Sequence, residues 1–365
     1  MIKGKANVVI DGSWGSTGKG KLCGYLALRH DINLVTCNYM SNAGHTFVRG
    51  AEKFVTCQLP TGIVNRDALI VLNAGSAITL TRLFREIEEL DRYNIGKRLF
   101  IHPHASVITE EDRKYEAEVL KRISSTMKGC GGSRSRKVMR TGLLAKDVPE
   151  LNSFITDTDL LTQMSLERGE TVLVESAQGF DLSLNFGHKY PYVTSRDVTT
   201  SSVLCEAGVP LSYLGSVYGC LRTFPIRVGN IVEDGEQVGY SGPFYDDQEE
   251  LTWDEISSMC GEQVEEKTTV TGKVRRVFSF SKTQLIKFAR VCEPTHLFLN
   301  FANYISSGVK GKRSLQEMDF IDRSTLSSWV CRNIIDPIST LKNNHAKLTH
   351  VGTGADDKDM IEIDS

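Results

Sequence analysis

The sequence predicts an α/β fold with a large, mostly parallel central sheet flanked by helices on both faces. Short apolar runs typical of strands alternate along the chain with longer segments in which apolar residues recur at helical spacing. The first apolar run, residues 6–10, leads through a glycine-rich stretch directly into a helical pattern. In such folds ligands bind at the carboxyl ends of the strands, so we expect the functional loops there.

The other predicted elements follow in chain order. Strands are predicted at Leu34–Cys37, Phe54–Leu59, Leu69–Leu72, Leu99–Ile101, Thr171–Glu175, Leu214–Val217, Leu297–Asn300 and His345–Val351. Helical patterns cover Thr79–Tyr93 and Glu110–Ile123. Residues 128–136 and 233–250 are interpreted as long irregular insertions, and the acidic tail 352–365 as a solvated end. We interpret residues 1–365 as a single domain.

The amino-acid composition excludes several classes of protein. The 365 residues include 43 Lys and Arg against 45 Asp and Glu, which leaves no basic excess for nucleic acid, so a small-molecule substrate fits better. The nine Cys are scattered without a C-x-x-C pair and are interpreted as reduced, mostly core thiols. No apolar run approaches the ~20 residues of a membrane span, and Asp11 comes too early for us to expect a secretory signal, so we expect a cytoplasmic protein without a membrane partner.

The stretch from Asp11 to Lys21 carries the strongest functional signal. Its glycines let backbone N–H groups converge on a phosphate, the following helix adds its partial positive charge, and Lys19 can reach the outer phosphates. It departs from the usual P-loop, because five residues separate Gly12 from Gly18-Lys19 and Gly20 stands where Ser or Thr would hold Mg²⁺. We predict a phosphate-binding loop; the alternative is a glycine-rich turn without a ligand.

This loop resembles the W-G-D-E-G-K-G-K loop of the adenylosuccinate synthetase family, and residues 42–46 match the N-A-G-H-T that follows it there. Further matches to that family occur in order at residues 125–132, 137–140, 174–179, 190–195, 227–229, 269–276 and 352–356. Three positions depart from the family. Ser16 replaces a catalytic Asp, Lys273 replaces the first Arg of the aspartate-binding segment, and Asn303 stands where an Asp reads the guanine of GTP.

The resemblance implies a carbon–nitrogen ligase that joins L-aspartate to C6 of a purine mononucleotide through a 6-phosphoryl intermediate, with Mg²⁺. The departures resemble those of a bacteriophage branch of the family, which acts on dGMP with ATP, and we predict those substrates here. Two alternatives stay open: an ordinary adenylosuccinate synthetase acting on IMP with GTP, and a non-catalytic nucleotide-binding switch.

The resemblance also assigns individual residues. The expected catalytic residues are Ser16, Lys19, His45 and Gln178. ATP and its phosphates are assigned to Ser13, Gly15, Thr17, Gly18, Gly20, Lys21, Gly44, Thr46, Asn300, Asn303, Gly352, Gly354 and Ala355. The dGMP site is assigned to Ser16, Asn42, Ser125, Thr126, Arg140, Gln178, Thr194 and Val228. L-aspartate is assigned to Thr271, Lys273 and Arg275, and Mg²⁺ to Ser16 and Gly44.

Two further expectations concern the assembly and the proton chemistry. Arg140 is expected to reach the monophosphate of the other subunit in a homodimer, as the resemblance implies. The general base stays unassigned, because a serine has no readily lost proton near neutral pH.

Overall fold

The computed structural model describes residues 1–268, 272–342 and 344–363. Its strands are β1 (Ala6–Asp11), β2 (Leu34–Cys37), β3 (His45–Arg49), β4 (Glu52–Thr56), β5 (Leu69–Leu72), β6 (Ala77–Ile78), β7 (Leu99–Ile101), β8 (Ser106–Val107), β9 (Val172–Glu175), β10 (Leu214–Arg222), β11 (Ile226–Arg227), β12 (Ile231–Glu233), β13 (Glu236–Gly239), β14 (Glu250–Leu251), β15 (Arg276–Phe278), β16 (His296–Asn300), β17 (Lys347–Gly352) and β18 (Met360–Glu362). Its helices are α1 (Lys19–Arg29), α2 (Leu80–Glu89), α3 (Glu110–Val119), α4 (Cys130–Val138), α5 (Thr158–Glu167), α6 (Thr200–Glu206), α7 (Trp253–Cys260), α8 (Lys282–Cys292), α9 (Phe320–Val330) and α10 (Asp336–Ser339).

A nine-stranded sheet in the order β18-β17-β16-β10-β1-β9-β2-β5-β7 forms the centre of the molecule. Every neighbouring pair in it is parallel except β17 and β18 at one edge. Strand β1 is buried along its whole length, as a central strand covered on both faces must be. The predicted α/β fold with a mostly parallel central sheet is confirmed.

Two apolar layers cover the faces of this sheet. Val9 of β1 belongs to a core that includes Leu22 and Leu26 of α1. Its neighbours Val8 and Ile10 point to the other face, into a core with α6 and α8 residues. Side chains alternate between the two faces along a strand, so α1 packs against the face that carries Val9. The loop between β1 and α1 follows the last residue of β1 and therefore lies at the carboxyl edge of the sheet.

Three of the predicted elements differ from the structure. The predicted strand 54–59 corresponds to β4, which pairs with β3 in a separate hairpin outside the central sheet. The predicted insertion 128–136 is largely helix α4. The strand predicted to end at Val217 continues to Arg222, which carries a charged residue to the sheet's carboxyl edge.

The acidic tail also differs from its prediction as a solvated end. Strand β18 pairs with β17 at the edge of the central sheet, and its Met360 and Ile361 are buried. The hydroxyl of Tyr25 in α1 donates a hydrogen bond to Glu362 of this strand. The burial of these two apolar side chains therefore holds the segment in the sheet despite its acidic residues.

Two other predictions concern the cysteines and the membrane. Seven of the nine cysteines are buried, and Cys205 and Cys331 are exposed, so most are core residues as expected. Within the described residues, none of the helices has the length and apolar character needed to cross a membrane.

Candidate active site

A cavity of about 410 Å³ lies where the loops after β1, β2, β9 and β10 meet. Its wall consists of residues 14–20, 42–46, 123–126, 192–195 and 226–228, with Glu116, Leu120, Cys130, Gly131, Gln178, Leu182, Ser241, Glu266, Lys267, Thr268, Arg275 and Phe301. Segments far apart in the sequence thus meet because the strands that carry them are parallel neighbours. The structure brings together the phosphate loop, the segment with His45, and the segments with Thr126, Gln178 and Thr194.

The phosphate loop is organised by Asp11, the last residue of β1. Its fully buried carboxylate accepts hydrogen bonds from the backbone N–H of Ser13 at 2.9 Å and of Gly15 at 3.2 Å, and from the Thr17 hydroxyl at 2.6 Å. It also forms an ion pair with the Lys19 ammonium at 3.0 Å. A single carboxylate therefore sets the loop's curvature and places its lysine.

Lys19, the first residue of α1, bridges two segments of the site. Besides Asp11, its ammonium donates to the backbone carbonyl of Gln178 at 2.9 Å. An ammonium has three N–H donors, so one remains for a phosphate oxygen. The preceding Gly18 has φ of 89°, and a Cβ there would lie 2.0 Å from the side-chain nitrogen of Asn300, so only glycine fits this turn.

His45 lies buried beside this lysine. Burial first, and the positive charge of Lys19 second, lower the pKa of His45 well below its usual range, so the imidazole is neutral. Its Nε2 is buried and has no hydrogen-bond partner in the described part of the chain. A buried nitrogen without a partner at a cavity wall is a group that a ligand can satisfy.

The imidazole of His45 stacks on an aromatic ring. The ring of Tyr39 stacks on His45 with centroids 3.7 Å apart and an angle of 14° between the planes. The Tyr39 hydroxyl donates to the buried carboxyl of Glu175, which also accepts from the Thr61 N–H at 2.8 Å. Burial raises the pKa of Glu175 to about 7. This stack fixes the plane of the imidazole.

Gln178 and Asn42 meet at the cavity wall. The Gln178 side-chain nitrogen donates to the Asn42 side-chain oxygen at 2.8 Å. Gln178 adopts a left-handed φ of 68°, which turns its carbonyl toward Lys19. The pair leaves one amide oxygen and one amide nitrogen without a partner in the described residues, which is a donor and acceptor set suited to a nucleobase edge.

The segment with Ser125 and Thr126 leads into the glycine-rich start of α4. The buried carboxylate of Glu116 accepts hydrogen bonds there from the backbone N–H of Gly129 at 2.7 Å, of Gly132 at 3.3 Å, and of Gly131. The start of α4 is therefore already occupied by an anion, and hydroxyls are what this segment offers to the cavity.

Ser16 adopts a left-handed φ of 56° at the tip of the phosphate loop. Its hydroxyl accepts a hydrogen bond from the Arg275 guanidinium at 2.7 Å, and its carbonyl accepts one from Arg222 at 3.0 Å. Arg222 is fully buried and pairs with Glu266 at 2.5 Å. Burial would raise the pKa of Glu266, but the charge and hydrogen bonds of Arg222 outweigh it and hold that pKa below its usual range.

Several predicted site residues do not line the cavity. They are Ser13, Lys21, Arg140, Lys273, Asn300, Asn303, Gly352, Gly354 and Ala355. Lys21 donates to the carbonyls of Gly354 at 2.8 Å and Asp359 at 2.6 Å, and burial lowers its pKa to about 8. Arg140 and Lys273 are exposed. Thr271 lies outside the described residues.

The fit of Mg²⁺ can be tested on the oxygen donors present. No group of three or more His, Cys, Asp or Glu side chains suited to a metal occurs among the described residues. Gly44 and Ser16 line the cavity, but the Ser16 hydroxyl already accepts from a cation. Mg²⁺ keeps several waters and takes substrate phosphates as ligands, so these few protein oxygens suit it only together with a bound nucleotide.

Four residues of the site were not predicted as functional: Asp11, Glu116, Arg222 and Glu266. Asp11 could have been recognised, because a carboxylate directly before a glycine loop is well placed to order it. Arg222 was missed because its strand was predicted to end five residues too early. Glu116 accepts from backbone N–H groups and Glu266 from the Arg222 side chain, and no local sequence pattern indicates either contact.

The fold and the site together define a class: an α/β protein with a P-loop-like phosphate loop facing a nucleotide-sized cavity. The profile of the adenylosuccinate synthetase family matches residues 8–154 and 146–308. The chain belongs to the adenylosuccinate synthetase family. It is therefore a carbon–nitrogen ligase of purine biosynthesis, as expected from the motifs.

Similar proteins include enzymes of phages and of archaea. The chain is 41% identical over 311 residues to the N6-succino-2-amino-2'-deoxyadenylate synthase of Vibrio phage phiVC8, covering 82% of this chain and 86% of that protein. It is 34% identical over 294 residues to the adenylosuccinate synthetase of Pyrococcus sp. (strain ST700), covering 80% and 81%.

Solved structures share the fold. The succinoaminodeoxyadenylate synthetase (PurZ) of cyanophage S-2L, bound to dGMP and to dATP as an energy donor, superposes with a TM-score of 0.81. It is 31% identical, and the match covers 100% of this chain and 97% of that one. The adenylosuccinate synthetase of Plasmodium falciparum also reaches a TM-score of 0.81 at 19% identity, which supports the fold alone.

Proposed function

We propose that this ligase joins L-aspartate to C6 of dGMP with ATP, giving N6-succino-2-amino-2'-deoxyadenylate, ADP and phosphate. The similarity to phage enzymes of that name supports this choice over IMP. The observation that carries the proposal is the environment of Ser16, which presents an uncharged hydroxyl to the cavity where other family members have a carboxylate. A short neutral side chain leaves room for the 2-amino group of guanine.

The reaction has two steps. The purine N1–H loses its proton while O6 attacks the γ-phosphorus of ATP and ADP leaves. The aspartate amine then attacks C6, loses a proton, and phosphate leaves. The protein contributes positioning and charge neutralisation, as phosphoryl-transfer sites usually do.

The Gln178–Asn42 pair is proposed to read the guanine. With the Gln178 nitrogen committed to Asn42, the Gln178 oxygen can accept from the N1–H or the 2-amino group. The Asn42 nitrogen can donate to O6. The hydroxyls of Ser125, Thr126 and Thr194 and the backbone at Val228 line the cavity as the proposed monophosphate and sugar contacts.

Lys19 and His45 are proposed to act on the transferring phosphoryl group. Lys19 has one ammonium hydrogen left after Asp11 and Gln178. The neutral imidazole of His45, held against Tyr39, can offer an N–H to a phosphoryl oxygen. Mg²⁺, bound to Gly44, Ser16 and the phosphates of ATP, would supply further charge neutralisation there.

Arg275, Lys273 and Thr271 are proposed to bind the carboxylates of L-aspartate. Arg275 lines the cavity and can present a planar fork of donors to a carboxylate. Lys273 is exposed, and a lysine cannot make the bidentate contact of an arginine, so its share of the binding is expected to be smaller.

ATP is the proposed donor because the segment after β16 lacks a carboxylate for guanine. Asn300 fills the space between Gly18 and Gly352, where a Cβ on either glycine would clash with its amide. Phe301 lines the cavity and can stack on a base. The half-buried Asn303 offers an amide, which can both donate to and accept from an adenine edge.

We further propose a homodimer in which Arg140 completes the partner's monophosphate site. The basic side chains of the cavity within the described residues are Lys19, Arg227, Lys267 and Arg275, and Glu116 is acidic beside Ser125 and Thr126. The partner's Arg140 would add a cation to that corner. Val138 and Met139, adjacent to Arg140, are 74% and 69% exposed, as residues of a subunit interface would be in a single chain.

The proposal is tested by a matrix of purified protein, L-aspartate and Mg²⁺ with IMP, GMP, dIMP or dGMP, each with ATP or GTP. Product is identified by mass and phosphate release is measured. We expect the highest kcat/KM with dGMP and ATP. Preference for IMP with GTP would identify an ordinary adenylosuccinate synthetase, and ATP binding without aspartate-dependent phosphate release would identify a non-catalytic switch.

A further inference from the structure

We propose that Arg222 and Glu266 are positioning residues for L-aspartate, which hold Arg275 at a fixed distance from the phosphate loop. The inference rests on the proposed function, since it takes Arg275 as an aspartate ligand. It adds two residues that neither the motifs nor the family resemblance assign.

The four residues involved form a closed ring of contacts. The Arg222 guanidinium donates to the carbonyl of Ser16 at 3.0 Å and to the Glu266 carboxylate at 2.5 Å. The backbone carbonyl of Glu266 accepts the N–H of Arg275 at 2.9 Å. The Arg275 side chain closes the ring on the hydroxyl of Ser16 at 2.7 Å. Ser16 is thus held by its backbone through one arginine and by its side chain through the other.

The ion pair between Arg222 and Glu266 lies inside the protein at the wall of the cavity, not on the outer surface. Arg222 ends the central strand β10 and its side chain has no exposed area, while Glu266 lines the cavity. Tyr304 donates a further hydrogen bond to Glu266 at 3.2 Å, and Arg222 lies 4.1 Å from the centre of the Phe301 ring. The end of a central strand therefore supports Arg275, and the charge of Glu266 offsets the repulsion between Arg222 and Arg275.

Geometry demands an arginine at this position. The guanidinium contacts the Ser16 carbonyl and both oxygens of Glu266 at once, at 3.0, 2.5 and 3.3 Å. A lysine keeps the charge but presents a single point of donation and loses the planar fork. Arg222→Lys consequently tests position separately from charge.

The experiment measures KM and kcat for L-aspartate, dGMP and ATP in the full chain for Arg222→Lys, Glu266→Gln and the double variant. Arg98→Lys is the matched control, because Arg98 is also buried but donates to the carbonyls of Ile63, Asn65, Ala68 and Tyr93, away from the cavity. Thermal unfolding of each variant is measured in parallel. Calorimetric titration of L-aspartate into protein holding dGMP and a non-hydrolysable ATP analogue gives binding without turnover.

We expect Arg222→Lys to lower kcat/KM for L-aspartate by about 10- to 100-fold, as a displacement of about 1 Å does, with KM for dGMP changed less than about twofold. The double variant should lose about as much as either single variant, because both break one ring. Arg98→Lys should lower the unfolding temperature and leave the aspartate KM unchanged.

The outcomes separate the two proposals. If the unmodified protein neither binds nor consumes L-aspartate, the proposed function fails and the inference fails with it. If the unmodified protein ligates aspartate but Arg222→Lys retains its aspartate KM, or changes all three KM values equally with a lower unfolding temperature, only the positioning role is overturned.

Discussion

The hydroxyl of Ser16 accepts a hydrogen bond from the guanidinium of Arg275 at 2.7 Å, which joins the tip of the phosphate loop to the proposed aspartate-binding segment. Burial lowers the pKa of Arg275 to about 10, with Glu266 opposing that shift, so the side chain stays cationic near neutral pH. A neutral partner leaves most of the charge of Arg275 available to a substrate carboxylate. A carboxylate at position 16 would compete with that substrate.

Ser16→Asp should therefore weaken ligation of dGMP in two ways. The new carboxylate would pair with Arg275 and reduce its hold on L-aspartate, and it would crowd the 2-amino group of guanine. We expect kcat/KM with dGMP to fall by ~10²-fold or more, with a smaller loss or a gain for IMP, which lacks that group. Steady-state kinetics with both nucleotides would measure this.

Ser16→Asn is the matched control, since it has the shape of Asp without the charge. Both residues tolerate the left-handed φ of 56° at this position. If Asn lowers dGMP use as much as Asp does, size and not charge governs the effect. Unchanged dGMP turnover in the Asp variant would remove Ser16 from the specificity argument.

Asp11→Asn should disable the phosphate loop. The change keeps the shape but leaves the buried Lys19 ammonium without its counter-charge, which costs about 3–5 kcal/mol when one partner of a buried pair is removed. We expect a lower urea midpoint and ATP binding weaker by at least ~10-fold, from the lost charged hydrogen bonds.

Glu86→Gln is the control for Asp11→Asn. Glu86 is also fully buried and accepts from the N–H groups of Cys57 and Leu59, outside the cavity. It should lower the urea midpoint and leave the dissociation constant of ATP unchanged. Equal ATP affinity in Asp11→Asn and the unmodified protein would contradict the organising role of Asp11.

The predicted site residues that line the cavity are mostly those that local sequence patterns mark. Gly18 and Lys19 end the loop after β1, His45 ends the loop after β2, and local glycine patterns mark all three. Helix α4 was missed because residues 129, 131 and 132 are glycines, which disfavour helix. The structure supplies what the local sequence lacks, a Glu116 carboxylate on the helix N-terminus, where an anion is stabilising.

His45 should make stability depend on pH in a defined direction. Its pKa is well below the unfolded value of about 6.5 because burial and Lys19 disfavour the charged form. Below pH 6.5 the unfolded chain binds a proton that the folded chain does not, so stability falls as pH falls, by about 1.4 kcal/mol per pH unit for such a group. Above that pH the contribution is constant.

His45→Asn should remove this dependence. We expect the difference in unfolding free energy between pH 7 and pH 5 to be smaller in the variant than in the unmodified protein, as measured by urea titration at each pH. Turnover should fall by ~10²-fold or more if the imidazole donates to the phosphoryl group. An identical pH dependence in the two proteins would show that His45 is not held neutral by folding.

Arg140 lies outside the cavity of its own chain, so its proposed role can be tested by complementation between subunits. In an isologous dimer each site takes Arg140 from the partner and Lys19 from its own chain. Mixed dimers of Arg140→Leu and Lys19→Ala chains then contain one site with both residues intact and one with neither.

After subunit exchange at equal amounts, half of the dimers are mixed, so about a quarter of the unmodified activity should return. Exchange is followed by two differently tagged chains purified in sequence. Activity that stays at the level of the separate variants after confirmed exchange would mean that Arg140 does not complete the partner's site.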